Sequence, residues 1–194
     1  MTNLPEKELK GQLTKTQLPE ILAAYPFAPA FNQTNTYFDT PDFALKAQNM
    51  GLRIRQFADY AEQTLKVPTG HIHHLREITD RLTSSQAQAL LAARSLYPDG
   101  DVGRALATNQ IKLTDLAPFA SATTTRQIAT IAVGDLVLDQ TVYQDQFVDY
   151  DVELEYHNEA QAEQFFKALS TQFGLSLAPI PNKVVRAQLH AQKV

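Results

Sequence analysis

Acidic and basic side chains recur at every second position in four short segments of the chain. This spacing places the side chains of each segment on one face of a β-strand. Arg and Lys donate hydrogen bonds to phosphate oxygens, and carboxylates together with phosphate oxygens hold Mg²⁺ or Mn²⁺. The pattern is therefore typical of a site for a polyphosphate and a divalent metal. The four sets are Glu6, Glu8 and Lys10; Arg53 and Arg55; Thr64 and Lys66; and Asp149, Asp151, Glu153 and Glu155.

A solvated strand face explains any one of these sets alone, since Arg-x-Arg and Glu-x-Glu are common in strands. Four acids on one face are harder to explain, because aligned carboxylates repel one another unless a cation or basic side chains lie between them. A triphosphate beside the bases and a divalent ion beside the acids would satisfy both. The chain lacks a glycine-rich phosphate-binding loop, so we expect side chains to hold the phosphates.

Apolar residues alternate with the charged ones, as Leu52 and Ile54 do with Arg53 and Arg55, and this favours strands. Strands are predicted over residues 6–13, 31–39, 52–57, 63–67, 71–79, 123–132, 135–143 and 147–156. Helices are predicted over residues 16–24, 43–47, 83–94, 99–109, 159–173 and 183–190, with a helical turn at 112–116.

About eight strands with helices between them predict an α+β fold. Each charged strand has an apolar opposite face. In an ordinary sandwich the polar face looks at water, whereas helices that cover the apolar face from outside would enclose both faces. The middle helices, between Ser85 and Asn109, carry no chemical motif and are expected to pack on the sheet.

The composition of the chain argues against some classes of binding partner and of metal site. Hydrophobic residues make up 44% of the 194 residues, which is enough for a core, and the net charge of −4 argues against nucleic-acid or membrane-surface binding. Cysteine is absent, which excludes disulfides and thiolate metal sites and is compatible with a reducing cytoplasm. No run of about 18 apolar residues and no secretory signal pattern occurs. We expect a cytoplasmic protein with a small anionic ligand, and the sequence leaves monomer or homodimer open.

The charged segments follow an order that resembles the CYTH proteins, also called triphosphate tunnel metalloenzymes. Residues 6–10, Glu-Lys-Glu-Leu-Lys, are similar to the Glu-x-Glu-x-Lys motif near the N-terminus of that family. Each motif is weak alone, but the ordered set spans Glu6 to Arg186. The later matching stretches are residues 36–45, 51–55, 64–66 and 75–77, then Arg126, Asp139, residues 153–155, Lys183 and Arg186.

The resemblance implies a single domain, residues 1–194, built as an eight-stranded antiparallel β-tunnel, a closed barrel with helices packed outside. It implies that phosphate is bound by Lys10, Arg53, Arg55, Lys66, Arg126, Lys183 and Arg186. It also implies that Mg²⁺ or Mn²⁺ is held by Glu6, Glu8, Glu153 and Glu155, with Asp139 and Glu77 in or near the metal shell. Catalysis is then expected to depend on Glu6, Glu8, Lys10, Glu153 and Glu155.

Two positions qualify the resemblance. Some triphosphatase members carry a base two residues before the arginine that Arg126 resembles, and here that position is Thr124. One phosphate contact is therefore expected to be missing. Arg76 and Glu77 are neighbours on one strand and must face opposite ways, and the resemblance favours Glu77 as the inward residue.

Other polar residues have simpler explanations. His71 and His73 would share a strand face, but no matching third ligand is evident, so a surface strand end is expected rather than a metal site. Asp149 and Asp151 share the parity of Glu153 and are expected toward the tunnel mouth.

Three functions are compatible with these residues. The leading hypothesis is metal-dependent hydrolysis of inorganic triphosphate or of a small organic triphosphate such as thiamine triphosphate. The resemblance also allows a class IV adenylate cyclase, which converts ATP to cyclic AMP and pyrophosphate. A non-catalytic nucleotide- or polyphosphate-binding module is the third, and the Glu-x-Glu pairs disfavour it, because an anion binder gains nothing from carboxylates beside its ligand.

Overall fold

Eight strands and six helices occur in the part of the chain that the structure, a computed structural model, describes. That part comprises residues 5–69, 74–176 and 178–193, with positions 5, 6 and 74 described by their backbone alone. The strands are β1 (Pro5–Leu13), β2 (Phe31–Asp39), β3 (Gly51–Gln56), β4 (Tyr60–Pro68), β5 (His74–Thr83), β6 (Ala117–Ile131), β7 (Gly134–Tyr143) and β8 (Val148–Tyr156). The helices are α1 (Gln17–Ala24), α2 (Ala44–Ala47), α3 (Ser84–Ala92), α4 (Asp101–Thr108), α5 (Glu159–Phe173) and α6 (Lys183–Ala191).

The strands form a closed antiparallel barrel in the order β1-β5-β4-β3-β2-β6-β7-β8. Pairing between β1 and β8 joins residues 8–13 to residues 150–155. On the other side of β1 the barrel is closed by pairing with β5, which in the described residues joins residues 5–7 to residues 74–76. This architecture confirms the predicted α+β barrel, while His71 and His73 lie outside the described residues.

Two hydrophobic clusters lie outside the barrel, between the sheet and the helices. Leu52, Ile54 and Leu65 are almost completely buried in a cluster that includes Val102 and Leu106 of α4. Each buried leucine or isoleucine contributes roughly 1.5–3 kcal/mol, and a slip of one residue would turn these side chains inward. The burial of Leu52 and Ile54 therefore forces Arg53 and Arg55, which alternate with them, into the barrel.

A second hydrophobic cluster, on the opposite side of the barrel, fixes the orientation of β8. Val152 and Leu154 of β8 pack with Leu136 of β7, and with Phe166 and Leu169 of α5. The alternate residues of β8, which are all acids, consequently face the interior. The polar interior of this barrel is thus a result of apolar burial on its outer surface.

The middle helices pack on the barrel as expected. Thr83 and Gln86 form the predicted capping box at the start of α3. Asp80 of β5 accepts hydrogen bonds from the backbone N–H groups of Asp101 and Val102, at 2.7 and 3.0 Å, and so caps α4. All helices in the described ranges are too short or too polar to cross a bilayer.

Strands β4, β5 and β6 are each longer than the sequence predicts. β6 begins at Ala117 and includes Pro118, which cannot donate to a ladder and which a sequence pattern assigns to a loop. The pairing of β6 with β2 shifts its register between Tyr37 and Phe38, which accommodates this irregular start. β5 continues to Thr83, because four further residues pair with β4 although they are mostly polar.

Candidate functional site

The barrel encloses a cavity of about 690 Å³ that most of the predicted site residues line. Asp139 and Arg186 are not among its lining residues, and the side chain of Glu6 is outside the described part of the structure. The predicted residues that do line the cavity are Glu8, Lys10, Arg53, Arg55, Lys66, Glu77, Arg126, Glu153, Glu155 and Lys183.

Arg53, Arg55 and Lys66 form what we call the basic wall of the cavity. Arg53 and Arg55 project from β3, and Lys66 lies on β4 directly opposite Gly51 in the antiparallel register. One Glu77 carboxylate oxygen is 3.0 Å from Lys66 and 3.5 Å from Arg53. The wall therefore brings three cations to one side of the cavity.

Arg55 is a buried cation of the basic wall that contacts an amide rather than a described carboxylate. Its Nε donates to Asn35 at 3.0 Å, and no carboxylate of the described residues lies within ion-pair distance of its guanidinium. Burial lowers the pKa of Arg55 to about 9, and the positive charges of Arg53 and Arg126 contribute. A buried guanidinium without a counter-ion is costly unless an anionic ligand binds it.

Glu77 belongs electrostatically to the basic wall. Burial alone would raise the pKa of its carboxyl, but Lys66 and then Arg53 outweigh burial and lower that pKa to about 2. Glu77 lines the cavity, whereas its neighbour Arg76 is exposed, which is the orientation that strand alternation and the resemblance favour. The contacts of Glu77 are with bases, so it orients the basic wall.

Glu8, Glu153 and Glu155 form the acidic wall on the opposite side. Glu8 lies directly across from Glu155 in the pairing of β1 and β8, and Lys10 lies across from Glu153. Lys10 donates to Glu8 at 3.1 Å. Like charges placed directly opposite each other are destabilising in a sheet, so the Glu8–Glu155 pair favours a cation between its members.

A buried ion-pair network lies beneath this wall. Arg126 donates to both oxygens of Asp139, at 2.8 and 2.6 Å, and to Glu153 at 2.8 Å. Lys183, at the start of α6, donates to Asp139 at 2.6 Å and to Glu153 at 2.5 Å. Burial opposes ionisation of both acids, but Lys183 and Arg126 outweigh it and hold the pKa values of Asp139 and Glu153 below their usual range.

Asp139 has a different environment from the one expected of a metal ligand. Its side chain is fully buried, and both oxygens accept hydrogen bonds from Arg126 or Lys183. Its position favours a role in orienting these two cations. A metal role for Asp139 stays a prediction, and it would require both contacts to be exchanged.

Arg186 is likewise removed from the cavity. It lies one turn after Lys183 on α6 and forms a bidentate pair with Asp151, at 3.1 and 2.7 Å, and a further contact with Asp149. Asp149 also accepts a hydrogen bond from Tyr143 at 2.7 Å. Phosphate binding by Arg186 stays a prediction, whereas these contacts anchor α6 to β8 and so position Lys183.

Asp149 and Asp151 are not at a mouth of the barrel, as their parity suggested. They are 5% and 1% exposed and lie beneath α6. The sequence expectation was incorrect because it did not foresee that a helix would carry cations to this end of the strand.

One part of the cavity lining is aromatic and apolar. Tyr37, Phe43 and Phe119 meet there, with ring centroids 5.7 Å apart for Phe43 and Phe119, next to Met50 and Val184. Phe43 has a φ of 57°, which is rare for a bulky residue and suggests that the surrounding structure fixes its ring.

Thr124 occupies the position where some family members carry a base. It is buried and paired with Thr141 through hydroxyls 3.0 Å apart. Its neighbours on the same face of β6 are Ala122 and Arg126, so one base is absent from this face, as the sequence indicates.

The carboxylate oxygens of the acidic wall are suitable ligands for a hard divalent cation. In the described residues, no three or more Asp, Glu or His side chains converge closely enough to hold a metal by themselves. Mg²⁺ is commonly held by only one or two carboxylates, with the rest of its shell supplied by phosphate oxygens and water. The Glu8–Glu155 pair fits that arrangement, and the backbone of Glu6 places it two residues before Glu8 on the same strand.

Two amides at the site were not foreseen from the sequence. Asn35 of β2 accepts from Arg55, and Asn182, just before α6, accepts from Lys10 at 2.6 Å. Asn35 shares its parity with Gln33 and Tyr37, so a polar face of β2 was a visible signal. Nothing local to Asn182 indicates that Lys10, 172 positions away in the sequence, would contact it.

A model of the CYTH domain family matches residues 4–187. The chain is 32% identical, over 188 residues, to a protein of Bacillus subtilis (strain 168) that is provisionally named triphosphatase YjbK, with 93% of each chain covered. It is also similar to a crystal structure from Bacillus halodurans that is provisionally described as an adenylate cyclase. That similarity has a TM-score of 0.86 and 31% identity, and covers 96% of this chain and 98% of the other.

A more distant similarity concerns HpAC1 from Hippeastrum, which is named as an adenylyl cyclase and described as having a dominant triphosphatase activity. The TM-score is 0.74 over 93% of this chain and 94% of the other, and at 18% identity this comparison shows the fold alone. The family match spans nearly the whole chain, and the barrel places the ordered charged motifs in one cavity. The chain therefore belongs to the CYTH domain family.

Proposed function

We propose that the protein is a metal-dependent hydrolase that releases the terminal phosphate of inorganic triphosphate or of a small organic triphosphate. The observation that carries the proposal is Arg55, a guanidinium of the enclosed cavity with no carboxylate of the described residues as its counter-ion. Arg53 and Lys66 extend this positive wall, and it faces carboxylates suited to a metal. The 32% identical relative named as a triphosphatase supports the same activity.

The basic wall would bind and neutralise the phosphates. Arg53 and Arg55 offer guanidinium donors that match phosphate oxygens, and Lys66 adds a point charge on the next strand. Phosphoryl transfer depends mainly on positioning and charge neutralisation, so these residues suffice without a nucleophilic side chain. Water would attack the terminal phosphorus, and the cavity wall would fix the direction of attack.

The acidic wall would hold Mg²⁺ or Mn²⁺. Glu8 and Glu155 are its first ligands in this proposal, with Glu153 and the predicted Glu6 beside them. When bound, the ion supplies positive charge to phosphate oxygens at the reacting centre. Asp139 would act through Arg126, which it fixes by two hydrogen bonds.

Phosphate release is the direct test. Wild type should release phosphate from inorganic triphosphate with Mg²⁺ or Mn²⁺, and Arg55→Gln should lose at least about a hundredfold in kcat/KM, as expected when a phosphate clamp is removed. Arg76→Gln is the matched control, because Arg76 is exposed and absent from the cavity lining. Equal activity of Arg55→Gln and wild type would refute the assignment of the cavity.

The aromatic part of the cavity favours a second candidate, which uses an organic triphosphate. Tyr37, Phe43 and Phe119 offer the kind of surface on which a planar ring can stack. A class IV adenylate cyclase would use such a site for ATP. Incubation with ATP decides between the candidates, since a cyclase yields cyclic AMP and pyrophosphate, whereas a hydrolase yields free phosphate. Binding without either product would support the non-catalytic module.

The remaining parts of the proposal concern partners and location. The substrate is a small molecule, and the net charge of −4 supports neither nucleic acid nor membrane as a partner. A cytoplasmic location rests on the absence of cysteine, which a reducing compartment allows. Fractionation of cells with an antibody to the protein tests the location.

A further inference from the structure

Glu153 already has a cationic partner for each of its two carboxylate oxygens within the protein. Oε1 accepts from Lys183 at 2.5 Å, and Oε2 accepts from Arg126 at 2.8 Å. The side chain is only 11% exposed, so water compensates little for a lost partner. A cation that binds Glu153 therefore competes with Lys183 and Arg126 for the carboxylate.

The ion pairs of Glu153 with Lys183 and Arg126 oppose the binding roles proposed for these residues. Glu153 is a proposed metal ligand, and Lys183 and Arg126 are proposed phosphate ligands, but each contact between them occupies both members. A metal that binds Glu153 competes with a cation, and a phosphate that draws Lys183 away leaves Glu153 with Arg126 as its one remaining partner among the described residues. Binding of either ligand therefore removes an obstacle to binding of the other.

Lys183 is the member that can move. Arg126 is fixed by two hydrogen bonds to the fully buried Asp139, in addition to its contact with Glu153. Lys183 reaches the network through a flexible four-carbon stem and lies among three carboxylates, at 2.5, 2.6 and 3.4 Å. It can leave Glu153 without unfolding α6, because Arg186 anchors that helix independently.

We propose that Glu153 couples the binding of the two ligands, so that a divalent ion which takes Glu153 releases Lys183 to the triphosphate. The inference rests on the proposed metal and triphosphate sites. It adds how binding at one of these sites changes the affinity of the other. Coupling between two ligands is reciprocal, and factors of about 5 to 150 are typical. Without ligands, Lys183 thus occupies the place of the metal at Glu153, and Glu153 occupies the place of the phosphate at Lys183.

Two glutamine variants, together with a Lys183→Met background, separate this exchange from simple charge repulsion. Glu153→Gln and Glu155→Gln each remove one negative charge from the same face of β8, two residues apart. Only Glu153 is within ion-pair distance of Lys183, among the described carboxylates on the acidic wall. Release of Lys183 occurs in Glu153→Gln alone, but Glu155 is 43% exposed, so a general electrostatic effect is also smaller in Glu155→Gln. A general effect of Glu153→Gln would persist in a Lys183→Met background, whereas an effect due to release of Lys183 would disappear there.

The test measures binding of imidotriphosphate, an analogue whose P–N–P bridges resist hydrolysis, by calorimetry in EDTA. We expect Glu153→Gln to bind the analogue about tenfold more tightly than wild type, and Glu155→Gln to differ less than about threefold. Equal changes in the two variants, or no change in Glu153→Gln, would overturn the proposal. Circular dichroism checks that both variants are folded.

A reciprocal measurement keeps the test valid if Glu153→Gln fails to fold. Lys183→Met should bind Mn²⁺ at least about fivefold more tightly than wild type without triphosphate, as followed by electron paramagnetic resonance. Arg55→Met removes a cavity cation that contacts no described carboxylate, and is the control for bulk charge. Equal Mn²⁺ affinity of Lys183→Met and Arg55→Met would contradict the exchange.

The outcomes also separate this inference from the proposed function. If the variants show the coupling but wild type releases no phosphate from triphosphate, hydrolysis is refuted and the coupling remains. If wild type hydrolyses triphosphate while the variants bind the analogue alike, the coupling alone is refuted.

Discussion

Replacement of Arg55 by methionine should stabilise the protein while it removes phosphate binding. Methionine has a similar length and no charge, and the substitution removes a hydrogen bond to Asn35 and a cation–π contact with Phe57, whose ring centroid is 6.0 Å from the guanidinium. Natural sites commonly sacrifice stability in this way, because a group that must bind a ligand is held without an internal partner. The prediction thus concerns a gain in stability, which few substitutions of a buried residue produce.

The magnitude follows from the environment of the guanidinium. A pKa of about 9 in place of the ordinary 12.5 corresponds to roughly 5 kcal/mol of destabilisation, at 1.36 kcal/mol per pH unit. Residual water access and loss of the Asn35 contact reduce this to a net gain of about 2 kcal/mol. For a chain of this length, that gain raises Tm by about 4–8 °C.

Thermal unfolding at pH 7 without added ligand provides the measurement. Arg76→Met, an exposed position on β5, should change the free energy of unfolding by less than about 0.5 kcal/mol. A second scan with inorganic triphosphate in EDTA should raise the Tm of wild type and leave that of Arg55→Met unchanged. A lower Tm for Arg55→Met than for wild type would refute the reasoning that this charge lacks compensation.

Further substitutions test other parts of the cavity. Arg126→Met should cost about 3–5 kcal/mol in chemical unfolding, because it leaves Asp139 buried with one cation fewer; an unchanged midpoint would contradict the network. Glu77 has its pKa depressed to about 2, so its stabilisation is complete above the unfolded pKa near 4.5 and is lost as pH falls from there toward 2. Urea midpoints of Glu77→Gln should accordingly vary less between pH 5 and 2 than those of wild type. Gly51→Leu should lower kcat/KM for an organic triphosphate about tenfold more than for inorganic triphosphate, because an added side chain there points into open cavity space; parallel losses would place the organic group elsewhere.

Alternation along the strands predicted the strands themselves and which side chains share a face. Leu52 and Ile54 alternate with Arg53 and Arg55, which separated an apolar from a charged face, and the structure buries the apolar pair completely. That the charged face points into a closed barrel was implied by the family resemblance. Local signals also gave the ends of α5, from the cap at Asn158 to the left-handed Gly174. The physical reason is that these features depend on residues within a few positions of one another.

The ion-pair network could not be predicted from the sequence, because its members are brought together only by the tertiary fold. Asp139 was expected near a metal, yet it contacts Arg126 and Lys183, the second of which is 44 positions away. The parity of Asp149 and Asp151 correctly indicated an inward face, but not that Arg186 of α6 would cover them. A strand pattern reports which face a side chain occupies, and it does not report what fills the space opposite.

β1 is the strand through which the barrel is closed. Its residues 8–13 pair with β8, and its residues 5–7 pair with β5, among the described residues. The pairing with β8 places Glu8 directly opposite Glu155, and two like charges opposite each other weaken a strand pair. A metal held between Glu8 and Glu155 would therefore also fasten the strand that closes the barrel.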